Sequence, residues 1–297
     1  MTKIACTLAG LMVLPGFGAL EFKDTKGKHL DVLSDGKILV RYMYAHDTST
    51  KETHHATYKP YLHVFDAEGK APITKGPGGQ FTHHRGIFIG WSKIGFNGKR
   101  YDRWHMKGGD IVHQKFSNQE VKGGAAVFTS VTHWMDEKGE AFLEEERTFT
   151  VTAGAHGGRA LIDFQSKLTP VRGDVSLKGD PEHAGIQYRP ANEVDKKKTK
   201  YVFPEGVTQV KGQKDLPWAA ENYTLNEKRY GVVHMNHPGN PKGTVHSAYR
   251  DYGRFGAFFE KDVKQGESLT VNYAFLIVDG ELPAPAEIQK VWGAWSK

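Results

Sequence analysis

The chain has 297 residues, 38% hydrophobic and 25% charged, enough apolar material to bury a core and too much for a disordered polymer. Its single cysteine, Cys6, lies inside an N-terminal apolar leader, which excludes cysteine nucleophiles, thiolate metal sites and iron–sulfur clusters from the rest of the chain. The formal charge of +6 comes from scattered lysines, so no nucleic acid is expected as a partner, and an anionic glycan or envelope surface is the anion that a basic cleft would attract.

Residues 1–19 carry one lysine, an apolar run from Ile4 to Leu14, a helix-breaking Pro15 and the small residues Gly16, Gly18 and Ala19. This pattern predicts a signal peptide cut after Gly18 or Ala19, hence an exported protein, periplasmic or extracellular, that folds without disulfides. No later run reaches the roughly 18 apolar residues of a membrane helix, so a membrane-spanning protein is not expected.

Alternating β-branched and aromatic segments follow: Ile38–Tyr44, Ala126–Thr132, Arg147–Val151, Ala160–Leu168 and Ser268–Leu276. Turn dipeptides bound them, among them Asp35-Gly36, Glu68-Gly69 and Lys138-Gly139, and Asn97-Gly98 predicts a two-residue hairpin between residues 91–96 and 99–104. The run Asp195–Lys200 reads as a solvated turn. Only Pro285–Trp295 has helical spacing, with Ile288, Val291, Trp292 and Trp295 on one stripe that would cap the sheets. With no linker, repeat or low-complexity tract, residues 20–297 read as one all-β domain, a large antiparallel sandwich of two stacked sheets. A propeller would show a period of about 40–50 residues, and none appears.

Fifteen histidines collect with arginines, acids and aromatics in four polar stretches. These are Phe81–Trp91 (FTHHRGIFIGW), Asp102–His105 with His113, Asp180–Arg189, and His234–Asn240 with His246 and Tyr249–Gly253. Proton-transfer groups beside arginine and aromatic residues are what a cleft for a hydroxylated or carboxylated ligand needs. The candidate catalytic residues are His84, His105, Glu182 and His237. The candidate substrate-binding residues are His83, Arg85, Trp91, Trp104, Gln187, Arg189 and Arg250. Arginine grips a carboxylate through two parallel hydrogen bonds, and tryptophan stacks on the apolar face of a sugar.

Competing structural readings accompany these. Strand alternation would send His83 and His84 to opposite faces. Glu182 and Arg189 would form an ion pair across a bend, and His237-Pro238-Gly239-Asn240 is a turn. No cofactor is expected. The His-x-His pair of a cupin is missing, while a divalent metal, such as calcium on Asp and carbonyl oxygens, stays open. Serine-hydrolase and nucleotide-binding motifs are absent from the sequence.

Taken in order, Lys59–His63, His83–Ile87 with Gly90-Trp91, Asp110–His113, Gly185–Arg189, His237–Asn240 and Arg250–Gly256 resemble the bacterial family DUF6807, often labelled methane oxygenase PmoA-like. The resemblance covers residues 59–256. It implies an exported protein of glycan-degrading bacteria and carries no catalytic assignment, while the label implies an oxygenase with bound iron or copper. A particulate methane monooxygenase subunit would need several membrane helices. Where many members have Glu-Gly-Gly, this chain has Glu182-His183-Ala184-Gly185.

The leading expectation is a carbohydrate-active enzyme on a galactose-mutarotase-like sandwich. A lyase would use Arg85, Arg189 or Arg250 to neutralise a substrate carboxylate, and His84, His105 or His237 to move protons. A hydrolase would need paired carboxylates, Glu182 with Asp102 or Asp251. An aldose epimerase would use the same groups on a free sugar, and a non-catalytic glycan-binding protein would use Trp91, Trp104 and Trp218 as a platform.

Overall fold

A computed structural model describes residues 19–297. The leader expected over residues 1–19 lies outside the described residues except for Ala19. Alternation of buried and half-buried residues, strict along Ala125–Met135, gives each long strand one face for the core and one for solvent.

The strands form two eight-stranded antiparallel sheets and a smaller four-stranded one. The first runs Leu20–Thr25, His29–Ser34, Lys37–Met43, Tyr61–Val64, Ile87–Trp91, Ala184–Tyr188, Phe255–Phe258, Val245–His246. The second runs Lys200–Val202, Trp218–Leu225, Lys228–Asn236, Leu269–Asp279, Ala160–Pro170, Ala141–Ala153, Ala125–Met135, Ile111–Lys122. The architecture is thus the expected all-β antiparallel sandwich. The third sheet was not anticipated. It is built on the Asn97-Gly98 hairpin, where Lys93–Phe96 pairs with Lys99–Tyr101 and both turn residues have positive φ, 47° and 71°. The second hairpin strand stops at Tyr101, short of Trp104.

Between the large sheets, Tyr42, Phe128, Phe149, Phe164, Ile89, Tyr188 and Phe275 are buried together. One ion pair is sealed in this layer. Glu145 accepts from Arg147 Nε (2.9 Å) and Nη2 (2.7 Å), Ser166 Oγ (2.8 Å) and Trp134 Nε1 (2.9 Å), so its lone pairs are satisfied without water.

The helix Pro285–Trp295 forms over its predicted span and covers the outer face of the second sheet. Ile288 is fully buried there, worth about 2 kcal/mol, and Trp292 Nε1 donates to Asn236 O (2.9 Å). A second helix, Lys51–Thr57, was not anticipated. Its start is closed by a capping box in which Thr50 and Thr53 exchange side-chain and backbone hydrogen bonds. Among the described residues no helix is long and apolar enough to cross a membrane.

Candidate functional site

In the strand Ile87–Trp91, Ile87, Ile89 and Trp91 point into the main core, whereas Phe88 points away from it, against Tyr61 and Trp104. Gln187 lies directly across from Phe88 and shares this outer face. Just before it, Gly185 has φ +86° and passes so close to the next strand that a Cβ would sit 1.9 Å from Ala257 O, which only glycine accommodates. Four loops cover this face, contributing Phe81–Gly86, Asp102–Asp110, Asp180–His183 and Ser247–Arg254.

The loop Phe81–Gly86 is irregular, and the strand starts only at Ile87. Alternation therefore does not separate His83 and His84, and their ring centroids lie 4.5 Å apart. His83 is 4.6 Å from His105, and His105 is 5.1 Å from His183, so four imidazoles form one chain of contacts. Phe81 (5.2 Å), Tyr252 (6.3 Å) and Trp104 (6.2 Å) surround His84.

Two of these imidazoles rest on carboxylates three residues upstream. His105 Nδ1 is 2.8 Å from Asp102 Oδ2, and the His105 amide donates to Asp102 Oδ1 (2.7 Å). His183 Nδ1 is 2.9 Å from Asp180 Oδ1. An Asp-x-x-His turn thus occurs twice, and it is the sequence signal that would have singled out Asp180 and His183. The carboxylate orients each ring and fixes its tautomer, while the far nitrogen stays available.

His83 and His84 differ, for neither touches an acid. Burial, then the charges of Lys59, His105 and His183, brings His83 down to about 3. Burial, then His83, Arg254, Arg189 and Lys59, pushes His84 far below the usual imidazole range. Both rings are neutral acceptors or donors in ordinary buffers. Among the described residues, His83 Nε2, His84 Nδ1, Trp104 Nε1 and both polar atoms of Gln187 are buried without a hydrogen-bond partner. Buried polar groups are nearly always paired, so a set of orphans on one face marks a place for a polar ligand or water.

The arginines expected to grip substrate do other work. Arg85 donates to the carbonyls of Thr82 (2.6 Å), His84 (2.8 Å) and His55 (2.6 Å). Arg189 donates to those of Pro190 and Tyr252, both at 2.7 Å. Arg103 clasps the next loop in the same way through Lys107 O (2.8 Å), Gly108 O and Met135 O. Arg250 pairs with Glu182 rather than facing a ligand, and Tyr249 OH donates to the other carboxylate oxygen (2.7 Å). The expected Glu182–Arg189 pair is replaced by this one.

Burial is the largest influence on Glu182 and pushes its carboxyl up, but the Arg250 and Tyr249 hydrogen bonds outweigh it and hold it below the usual range. Asp102 is likewise held down against burial, by its bonds from His105. Neither carboxyl stores a proton for a hydrolase. Arg254, 1% exposed, lies close enough to influence His84, with Nη1 on Ser247 Oγ (2.9 Å) and Nη2 without a hydrogen bond, in a long ion pair with Glu182 (4.0 Å). Lys59 is a buried strut, with Nζ on Trp104 O (2.9 Å) and over the Phe88 ring (3.6 Å). Burial, then Arg85, drives its pKa well down.

His237 does not join this site. It lines another depression, on the second sheet, with Asp163, Asn272 and Trp295. Trp91 and Trp218 are wholly buried, Trp91 against Trp134 and Phe259, and Trp104 lies under the histidines, so the expected stacking platform is not exposed. Phe81, 40% exposed, supplies the accessible aromatic surface instead, packed on the buried Tyr252 ring at 5.0 Å.

Residues 29–293 match the model of a family of unknown function, DUF6807. The chain belongs to that family. The match assigns this DUF6807 protein no activity and does not bear on the methane-oxygenase label. No curated protein sequence matches the chain. Among solved structures it is similar to a heparan sulfate lyase HepC mutant from Pedobacter heparinus, at 11% identity and TM-score 0.42, covering 95% of this chain and 38% of that one. It is also similar to the Slr1438 protein from Synechocystis sp. PCC 6803 (11%, TM-score 0.42, 94% and 100%) and to galactose 1-epimerase from Lactobacillus acidophilus NCFM (10%, TM-score 0.36, 88% and 94%). The chain thus spans well under half of the lyase's length. These loose likenesses carry no argument about chemistry.

Proposed function

We propose that the chain is an exported carbohydrate-active enzyme that binds an acidic glycan at the histidine cluster and cleaves it by proton abstraction. The observation that supports this most is the pair of Asp-backed imidazoles, His105 and His183, with ring centroids 5.1 Å apart on a face lined by orphaned polar groups. One takes the proton alpha to a sugar carboxylate while the other gives one to the leaving oxygen. The C–O bond breaks, a C=C bond forms in the ring, and the two protons balance.

His105, steadied by Asp102, is the base; His183, whose side chain is 40% exposed and can exchange with solvent, is the acid. Arg254 Nη2 is the donor for the substrate carboxylate, whose developing enolate it stabilises. Neutral His83 and His84 and the Gln187 amide accept and donate to hydroxyls, and Phe81 with Tyr252 offers the apolar wall. Glu182, held ionised, suits a positioning role for Tyr249 and Arg250.

The test is a screen of the purified protein on acidic and neutral oligosaccharides that follows ultraviolet absorbance of unsaturated product and release of reducing ends together, with His105→Ala and Arg254→Met alongside. Unsaturated product lost in both variants is the expected result. Reducing ends without new absorbance would replace the lyase by a hydrolase, and glycan binding with neither signal would replace the enzyme by a binding protein.

A further inference from the structure

Beside the histidine cluster, at the other end of the loop Asp102–Asp110, lies a second set of polar groups that the proposed chemistry does not use. His46 follows the strand Lys37–Met43, His54 sits on the helix Lys51–Thr57, and Asp110 immediately precedes the strand Ile111–Lys122. His46 Nε2 lies 2.7 Å from Asp110 Oδ2, and His54 Nε2 lies 2.9 Å from both Asp110 oxygens. Among the described residues this is the triplet of His, Asp or Glu groups whose donor atoms all fall within 4.8 Å of one another. The four imidazoles of the cluster make no such convergence.

We propose that His46, His54 and Asp110 bind a first-row divalent transition ion, of which Zn²⁺ is the working probe. An ion pair needs one imidazole per carboxylate. Here two are brought from different elements onto the same one, each through Nε2, in the two-histidine, one-carboxylate set that imidazole-preferring metals take. Calcium, which selects oxygen ligands, does not fit this donor set.

The distances suit the exchange. Metal bonds of about 2.0–2.1 Å at tetrahedral angles place donor atoms about 3.3 Å apart, a few tenths of an ångström beyond the present contacts. Side chains exposed by 27% (His46), 38% (His54) and 15% (Asp110) have room to make that adjustment. The triplet opens on a depression of about 830 Å³, which leaves coordination positions to water or a ligand.

The surroundings hold the carboxylate in place. The Asp110 carbonyl accepts from Met135 N (2.8 Å), and Tyr58, whose ring is 5.7 Å from His54, donates its hydroxyl to Gly109 O. Gly109 (φ +121°) lies so close to the facing strand that a Cβ would come within 2.5 Å of Met135 O. A bound ion would tie the helix Lys51–Thr57 to the loop that carries His105.

The experiment uses tag-free protein stripped with chelator, loaded with Zn²⁺ and passed through gel filtration, with zinc measured by elemental analysis and the melting temperature recorded with and without the ion. One zinc per chain and a raised melting temperature are expected for the wild type and for His133→Ala, which alters a separate, half-buried histidine. Both effects should vanish in His54→Ala, Asp110→Asn and His46→Gln, with far-ultraviolet circular dichroism confirming that the variants fold. Loss of zinc by the wild type on gel filtration would overturn the site, and so would equal retention by the folded variants. Metal content is read without any glycan, so this result and that of the oligosaccharide screen stand apart.

Discussion

His246 offers the sharpest test of the interior. It sits on the two-residue strand Val245–His246, is 3% exposed, and neither of its ring nitrogens has a partner among the described residues. Burial alone brings it down to about 4. Because the folded value lies below the unfolded one of about 6.5, the unfolded chain takes up the proton first. The stability held by the neutral ring is complete above the unfolded value and drains as the pH falls through the folded one. Integrated from a pH of about 7.5 to about 5, the loss is about 2 kcal/mol from this residue. The neighbouring His234, 5.5 Å away and also lowered by burial and then by His246, adds to the acid sensitivity of the wild type. Urea denaturation across that interval should therefore show the wild type losing about 2 kcal/mol more than His246→Leu, which keeps the volume and removes the titration. Parallel stability profiles for the two proteins, within about 0.5 kcal/mol, would refute the assignment of a buried neutral ring.

Arg147→Met should destabilise by about 3–5 kcal/mol in the same assay, since it leaves the Glu145 carboxylate buried and uncompensated, whereas a loss near that of an exposed pair, under about 1 kcal/mol, would mean that water reaches it. Gly185→Ala forces a methyl group into Ala257 O at a left-handed backbone position, and a loss of about 3 kcal/mol or failure to fold in expression trials is expected. Asp102→Asn should lower kcat on any oligosaccharide that the screen finds by about 100-fold with little change in KM, because it disturbs the tautomer and support of His105 and no binding contact. A pure KM effect would assign Asp102 to the loop rather than to the base.

Much of this frame was legible in the chain. Ala126–Thr132 and Ala160–Leu168 alternate because one side of each meets the facing sheet, and Asn97-Gly98 declares its hairpin because both residues tolerate positive φ. The helix Pro285–Trp295 shows its apolar stripe and its proline start. The helix Lys51–Thr57 was hidden, since a short segment with three β-branched or imidazole residues in succession has no apolar stripe and its cap uses Thr53 where a glutamate would announce it. His83 and His84 were misplaced because the alternation of the strand was carried back past Gly86, where the chain is not yet extended. Trp91 was read as a stacking surface, although a run as uniformly apolar as Ile87–Trp91 is what a strand buried on both faces looks like. For Arg85 and Arg189, sequence has no way to say whether a guanidinium faces a carboxylate or a carbonyl. That choice depends on which loop folds over it.

The hydrogen bonds to oxygen made by Arg85, Arg103 and Arg189 all run to main-chain carbonyls, which every residue type provides. Apart from Met106, which Arg85 also touches, and Tyr252, over whose ring Arg189 lies, the side chains of the clasped loops are therefore decoupled from the bonds that shape them. Descendants of such a chain can exchange Phe81 or His183 for other groups without first rebuilding the frame, so members of one lineage can change what these loops present while the loop paths stay the same.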